Sequence, residues 1–453
     1  MSLENLGAAI SGLNGFVWGL PLMVMLVGAG LYFSISLGWI QLRGFRHAVN
    51  VLRGKYDNPD DPGEVSHFRA LSTALSATIG TGNIVGVAAA IMYGGPGAVF
   101  WMWVTAFVGM ATKFCSCTLA VHFRRIDERG ETHGGPMHYI ELGMGPDFKW
   151  LAVLFAIFTA IASFGIGNMF QINSIAAAVD SLLRGADAEP SYTVRLVTGM
   201  IIAVLVACVI LGGIKRIAAL TSKIVPFMCA FYILGGLIIL TKNVAAVPVA
   251  FKLIFYHAFH APEAVTGGLL GGVIRCGVAR GLFSNEAGLG SAAMAHGAAR
   301  TKEPVREGLV AMLGPFIDTI VVCSITALVI ITTGAYETAT EKALLTRAAF
   351  ETGLPGMGWM VSVGMILFAF STLVSWPYYG DRAVDYLFGR RAVTTYRWIF
   401  VAIIVVGAIS SFDMIVNLCD AMNGLMALPN LIALVALSPV LVKLARDYMT
   451  RNG

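Results

Sequence analysis

The chain has 453 residues, 57% of them hydrophobic and only 13% charged, with a mean hydropathy of +0.76. A soluble domain carries about 25% charged residues, so the deficit excludes an ordinary soluble enzyme and intrinsic disorder alike. The net charge of +5 is mild and belongs to one side of a membrane, which argues against a nucleic-acid surface.

No charged side chain occurs from Asn5 to Leu42, from Ala70 to Thr112, from Trp150 to Val179 or from Thr352 to Gly380. A bilayer core of about 30 Å is crossed by about 20 helical residues, so these runs are membrane spans. Hydropathy predicts eleven, near residues 15–39, 70–92, 97–122, 150–179, 194–213, 217–241, 264–297, 308–333, 356–380, 396–412 and 420–442. The N-terminus lacks the basic segment of a cleavable signal peptide. No separate soluble domain remains, and residues 1–453 form one transmembrane unit.

Taken in chain order, the second span carries SATIGTGNIVG, Ser76 to Gly86, a polar sequence interrupted by glycine. The third contains Lys113, with Cys115 and Cys117 two residues apart and therefore on different helix faces, which excludes a shared metal. All seven cysteines fall in or beside spans and are expected as small core residues. In the loop that follows, His138 and Glu141 have ligand-like spacing with His133 nearby, but a surface helix on the membrane is the reading preferred. The fourth span places Phe164, Gly167, Asn168 and Gln171 on one face at three- and four-residue spacing. The seventh contains GLFSNEAGLGS, Gly281 to Ser291, preceded by Arg275 and Arg280. Asp318 lies in the eighth. The ninth reads FAFSTLVSWPYYG, with Phe368 one turn before the hydroxyl pair Ser371 and Thr372, and Trp376 on the same face as Thr372.

With the N-terminus outside, 22 of the 31 Lys and Arg residues fall in cytoplasmic segments and six outside, as the positive-inside rule requires. The C-terminus is then cytoplasmic. Apart from the first span, ten remain, and the two broken ones are five apart and oppositely oriented. Paired broken helices in opposed halves point to an inverted-repeat secondary transporter. An unwound helix at mid-membrane frees amides that suit a carboxylate and carbonyls that suit a cation or ammonium, so two facing breaks can bind one zwitterion. Intramembrane ionisable groups are functional candidates by default. Glu286 is expected to tie down unwound backbone. Arg275 or Arg280 is a candidate for an outer gate with Asp413 or Asp420. Asp318 is expected to pair with a neighbouring helix or with Lys113.

SATIGTGNIVGVA, GLFSNEAGLGSAAMAH and GPFIDTIVVCSITALV strongly resemble signature blocks of the alanine or glycine:cation symporters, also called sodium:alanine symporters. The resemblance runs through nearly the whole chain. It implies an all-α LeuT-type fold: a five-plus-five inverted repeat (residues 68–241 and 264–447) after one extra helix (15–39), with the first and sixth core helices broken. It further implies Na⁺-coupled uptake of small neutral amino acids such as alanine and glycine by a multi-pass cell-membrane protein, with no catalytic residues, no cofactor and no transition metal. Position by position, Gly80-Thr81-Gly82-Asn83 resembles the unwound piece of the first core helix. The amides of Thr81 and Gly82 would then hold the substrate carboxylate, and the Thr78 carbonyl would face the ammonium. Phe283 would offer a carbonyl and a lid, with Ser284 beside it. Gln171 would flank the substrate with Phe164. Ser371 and Thr372 resemble the hydroxyl pair of a shared Na⁺ site completed by the carbonyls of Ser76, Ile79 and Phe368. Trp376 would floor the pocket and limit the substrate side chain. The sequence departs from the amino-acid transporter pattern at Glu286, where that pattern has a small hydroxyl residue. A membrane enzyme using Glu286, Asp318 and His296 is the competing class, and a channel is the third.

Overall fold

The computed structural model describes residues 3–185, 188–260, 270–337, 342–409 and 413–452. It is helical almost throughout. Helices α1 (Leu3–Val17) and α2 (Leu20–Ser36) make one interrupted span, broken where Gly19 precedes Leu20-Pro21. Short helices α3 (Ile40–Arg43) and α4 (Phe45–Leu52) lead to α5 (His67–Thr78), whose first turn is capped by Ser66 Oγ accepting from the Arg69 amide. Helix α5 ends at Ile79, and one 3₁₀ turn at Thr81–Asn83 leads into α6 (Val85–Gly94) with a bend of 63°. This is the first expected break.

Helix α7 (Ala98–His122) is the most deeply buried span. Small residues allow helices to approach it: a Cβ on Gly30 of α2 would lie 2.8 Å from Val108 O, and one on Gly277 2.3 Å from Ala98 O. A hairpin of β1 (Arg125–Ile126) and β2 (Thr132–His133) precedes α8 (Pro136–Tyr139). Helices α9 (Lys149–Phe164) and α10 (Phe170–Arg184) are joined by a π-helical turn at Gly165–Met169. Then follow α11 (Tyr192–Ile210), α12 (Gly213–Lys242) and α13 (Val247–His257).

The second break separates α14 (Leu270–Asn285) from α15 (Ala292–Gly297). Helices α16 (Pro304–Ala311) and α17 (Leu313–Pro315), a π-helical stretch at Phe316–Cys323 and α18 (Ser324–Thr332) form one span. Helix α19 (Lys342–Gly353) precedes the long α20 (Trp359–Phe388) and α21 (Arg390–Ile409). Helices α22 (Asp413–Leu425), α23 (Ala427–Ala436) and α24 (Ser438–Asn452) complete the chain.

Among the described residues, nine helical runs are long and apolar enough to cross a bilayer, and α5 with α6 makes a tenth as one bent span. The span expected at 264–297 begins outside the described residues and is split by its break, so neither piece reaches spanning length. Val204, Phe227, Leu234 and Trp398 are exposed on the outer faces of α11, α12 and α21, as apolar side chains bathed in lipid would be. The loop helix α8 corrects an expectation: it does not lie on the membrane surface, because Pro136, Met137 and Tyr139 are buried against its neighbours. Cys208 is likewise exposed rather than core.

Candidate functional site

The two breaks lie side by side. At the first, backbone groups freed by unwinding are mostly taken by side chains. Asn83 Oδ1 accepts from the Gly80 amide (3.0 Å), Thr326 donates to Asn83 O (2.9 Å) and Thr346 donates to Ile84 O (3.0 Å). The amides of Thr81 and Gly82 donate to no backbone carbonyl among the described residues. At the second break, Glu286, Gly288 and Gly290 adopt φ of 52°, 86° and 89°, a region that costs a Cβ-bearing residue energy and glycine little. Lys113 Nζ donates to Asn285 O (2.9 Å), and Asn430 Nδ2 to Gly288 O (2.7 Å). Glu286 accepts from the side chain of Ser291 (Oγ, 2.6 Å) across the break, rather than from the unwound backbone expected as its partner.

Asp318 joins the breaks. Its carboxylate accepts from Asn83 Nδ2 (2.7 Å), Ser284 Oγ (2.8 Å) and Thr319 Oγ1 (2.7 Å). Its partners are therefore the two breaks and its own neighbour, with no ion pair to Lys113. Asn83 and Ser284, expected on the substrate, are turned to this buried carboxylate. Glu286, Asp318 and His296 do not converge: His296 hydrogen-bonds Glu307, which also holds His67. The enzyme reading loses its constellation.

A cavity of about 310 Å³ opens between the breaks, lined by Thr81, Gly82, Val85 and Phe283 among others. The Phe283 ring lies over Gly82, where a Cβ would stand 3.5 Å from it. Thr81 Oγ1 is buried with no partner. Ile166 and Phe170 supply the α9–α10 wall. Arg280 and Asp420 share the rim, where Asn14 Nδ2 donates to Asp420 Oδ2 (3.1 Å) and Trp18 Nε1 to Asp420 O (3.1 Å). Arg275 is exposed and does not line the cavity, and the Asp413 side chain, one of its two expected partners, lies outside the described residues. Asn14 and Asn417 were not singled out in the sequence, although Asn14, an asparagine in the uncharged run Asn5 to Leu42, was a signal.

The fourth-span reading needs correcting. Gly167 packs on Trp376, where a Cβ would meet that side chain at 2.4 Å, and Gln171 reaches the first break, its Oε1 lying 3.6 Å from the Cβ position of Gly80. Gln171 Oε1 is buried without a partner. Phe164 instead packs on Tyr396 and Phe400 (5.3 and 6.1 Å), and Asn168 donates to Phe400 O (2.8 Å). The π turn adds a residue and rotates one pair away from the other. Trp376 is fully buried beside Gly167 and does not line the open cavity. The Thr78 hydroxyl folds back onto Ala74 O and Leu75 O (both 3.2 Å).

Beneath the first break, α5 and α20 bring four of the five expected cation groups together. Ser371 Oγ reaches Ser76 O (3.2 Å) and Phe368 O (2.9 Å), and Thr372 Oγ1 reaches the same two carbonyls (both 3.1 Å). Ile79, the fifth, sits where α5 leaves helical geometry. Thr372 Oγ1 is 2.9 Å from the Cβ position of Gly80, so this oxygen cluster adjoins the break itself. Such oxygen groups are those a hard monovalent cation prefers. The only metal-like cluster among the described residues is elsewhere, at Asp127, Glu131 and His133, and His133 is already paired with Asp385 (3.1 Å) and Glu131 with Arg390 (2.7 Å). His138 faces the Tyr386 ring, and Tyr386 donates to Glu141 Oε2 (2.6 Å), so that pair does not form a metal site either.

Comparison with known proteins agrees with this architecture. The Sodium:alanine symporter family matches residues 3–453. The chain is 48% identical over 446 residues to the sodium/alanine symporter AgcS of Methanococcus maripaludis, covering 97% of this chain and 96% of that protein. It is 36% identical to the probable sodium/glutamine symporter GlnT of Bacillus subtilis, over 96% of this chain and 89% of that one. Among solved structures, MhsT in complex with L-phenylalanine superposes with a TM-score of 0.53 at 10% identity, covering 84% of this chain and 98% of that one, a likeness of fold. The chain therefore belongs to the sodium:alanine symporter family and is a transporter, not an enzyme.

Proposed function

We propose that the protein couples inward Na⁺ movement to uptake of alanine and glycine by alternating access. The observation that carries this reading is the contact between the oxygen cluster of Ser76, Phe368, Ser371 and Thr372 and the unwound Gly80-Thr81-Gly82 segment. A cation held by the cluster would fix α5 against α20 and shape the break that binds the carboxylate. Thr81 and Gly82 present amides to that carboxylate, while Gln171 and Phe283 border the same segment. Asp318, bonded to both breaks, transmits the position of one to the other. Arg280 and Asp420 form the rim that closes over the substrate from outside, with the N-terminus outside and the C-terminus cytoplasmic. Differential affinity of Na⁺ for the substrate-bound arrangement is what couples the two fluxes.

The test is radiolabelled alanine and glycine uptake into proteoliposomes with and without an inward Na⁺ gradient. Saturable accumulation that collapses without the gradient is expected. If neither amino acid accumulates and calorimetry shows no binding of either, the proposal fails.

A further inference from the structure

A second cavity, of about 400 Å³, lies at the opposite end of α20 and α21 from the Asp420 rim. Its wall carries five cations, Arg129, Lys215, Arg382, Arg390 and Arg397, against two carboxylates, Glu64 and Glu131. Some of this charge is spent. Arg397 holds Asp381 through Nε (2.9 Å) and Nη2 (2.6 Å), Arg390 pairs with Glu131 (2.7 Å) and Arg382 lies 3.8 Å from Asp385. Counting Asp381 and Asp385 behind the wall, cations still outnumber carboxylates. Arg129 and Lys215 are exposed and have no ion pair among the described residues.

Two buried donors on the same wall are also unused. The Tyr378 side chain is 2% exposed and its hydroxyl has no partner, and neither does Nε of Arg382, whose guanidinium sits 5.3 Å from the centre of the Tyr378 ring. Burying a polar group unpaired costs free energy, and because both atoms are enclosed, a side-chain shift toward the cavity is needed for an anion there to accept from them and relieve it. Arginine forks match phosphate oxygens in particular. Leu211, also on the wall, is exposed, as are Trp398 beside Arg397 and Phe388 at the end of α20. Leu211 thus places apolar surface on the cationic wall, with Phe388 and Trp398 exposed on α20 and α21, the arrangement an anionic lipid fits.

We propose that this cavity binds a phosphate-bearing anion, with the headgroup of an anionic phospholipid as its occupant. The experiment uses the full-length purified protein, native mass spectrometry and thermal unfolding. Its probes are dioleoyl phosphatidylglycerol, dioleoyl phosphatidylcholine and inorganic phosphate. Retention of phosphatidylglycerol but not phosphatidylcholine is expected, together with a raised Tm. Arg129→Gln/Lys215→Gln should weaken that retention at least tenfold, whereas Arg53→Gln/Lys443→Gln, an equal loss of exposed charge elsewhere, should not. Tyr378→Phe keeps the ring and removes the unpaired hydroxyl, so it should weaken retention severalfold while leaving the Tm of the lipid-free protein equal or higher. Stabilisation by inorganic phosphate that competes with the lipid would make the free anion the occupant of the same site. Equal retention of both lipids with no effect of phosphate, or undiminished phosphatidylglycerol binding in both Arg129→Gln/Lys215→Gln and Tyr378→Phe, would overturn the proposal.

Discussion

Ser371 and Thr372 each contact the carbonyls of Ser76 and Phe368, and this duplication separates two roles for the hydroxyls. Ser371→Ala or Thr372→Ala removes a hydrogen bond worth about 0.5–1.5 kcal/mol if the groups only fasten helices. If they ligate Na⁺, the Na⁺ concentration for half-maximal alanine uptake should rise severalfold in each variant. Alanine affinity should lose its Na⁺ dependence, and by linkage Na⁺ affinity should lose its alanine dependence equally. Variants that fold and keep wild-type Na⁺ dependence would rule out the cation site. Ser371 and Thr372 were legible through their resemblance to a family hydroxyl pair; an adjacent pair alone does not mark them, since Thr332 and Thr333 form another in an apolar span. The packing of Phe164 was not legible, because three- and four-residue spacing assumes an unbroken α-helix and the π turn at Gly165–Met169 breaks that assumption. Nor could the sequence show that Asn83 and Ser284 turn to Asp318, since their donors serve a carboxylate and a substrate equally well.

Among the elements, the two breaks were legible for a physical reason: glycine and polar residues at mid-membrane contradict an unbroken apolar helix, and few folds tolerate that contradiction. The hairpin of β1 and β2 was not legible, because two-residue strands leave no periodic signature. It is docked by His133, whose Nδ1 donates to Asp385 Oδ2 (3.1 Å), while Nε2 lies 3.6 Å from Asp127 within the hairpin itself. The hydrogen bond to Asp385 holds the His133 imidazole above its ordinary value near 6.5, against the opposing effect of burial. A raised value means that docking favours the charged ring. The stabilisation is therefore complete below about pH 6.5 and is lost as pH rises through the raised value. Hydrogen exchange in residues 125–133, corrected for its intrinsic pH dependence, should increase above neutrality in the wild type. In His133→Gln it should be high and flat at all pH values. An identical pH profile in the variant would show that another group docks the hairpin.

For the whole molecule, the two ends are built differently, and what closes one end was invisible in the sequence. The break cavity lies toward Asp420. On the other side, Arg124 stitches two segments together: Nη1 donates to Gly297 O (2.9 Å) and Ala299 O (2.5 Å), and Nη2 to Pro62 O (2.8 Å) and Thr301 O (2.6 Å). Val65 forms a parallel bridge with Ala299, and Glu307 hydrogen-bonds His67 at the start of α5 and His296 in α15. All three of these side chains are fully or almost fully buried. His67 and Glu307 are 240 residues apart, a separation no local pattern reports. One carboxylate therefore bonds the halves of both broken helices that lie away from Asp420, and these must part if the proposed cavity is to open on this side. Glu307→Gln keeps the shape and removes the charge. Leaving a buried hydrogen-bonding group without its partner costs about 1–3 kcal/mol, each step of about 1.4 kcal/mol being tenfold in an equilibrium, so the change is large enough to shift the balance between two states. Hydrogen exchange should accelerate in residues 62–69 and 297–301 while α11 and α21 keep their protection. Should Glu307→Gln fail to fold, Arg124→Lys keeps the charge but loses the planar fork, and acceleration should then be confined to the same two segments. A folded variant of either kind with unchanged exchange there would show that the clamp does not hold this end closed.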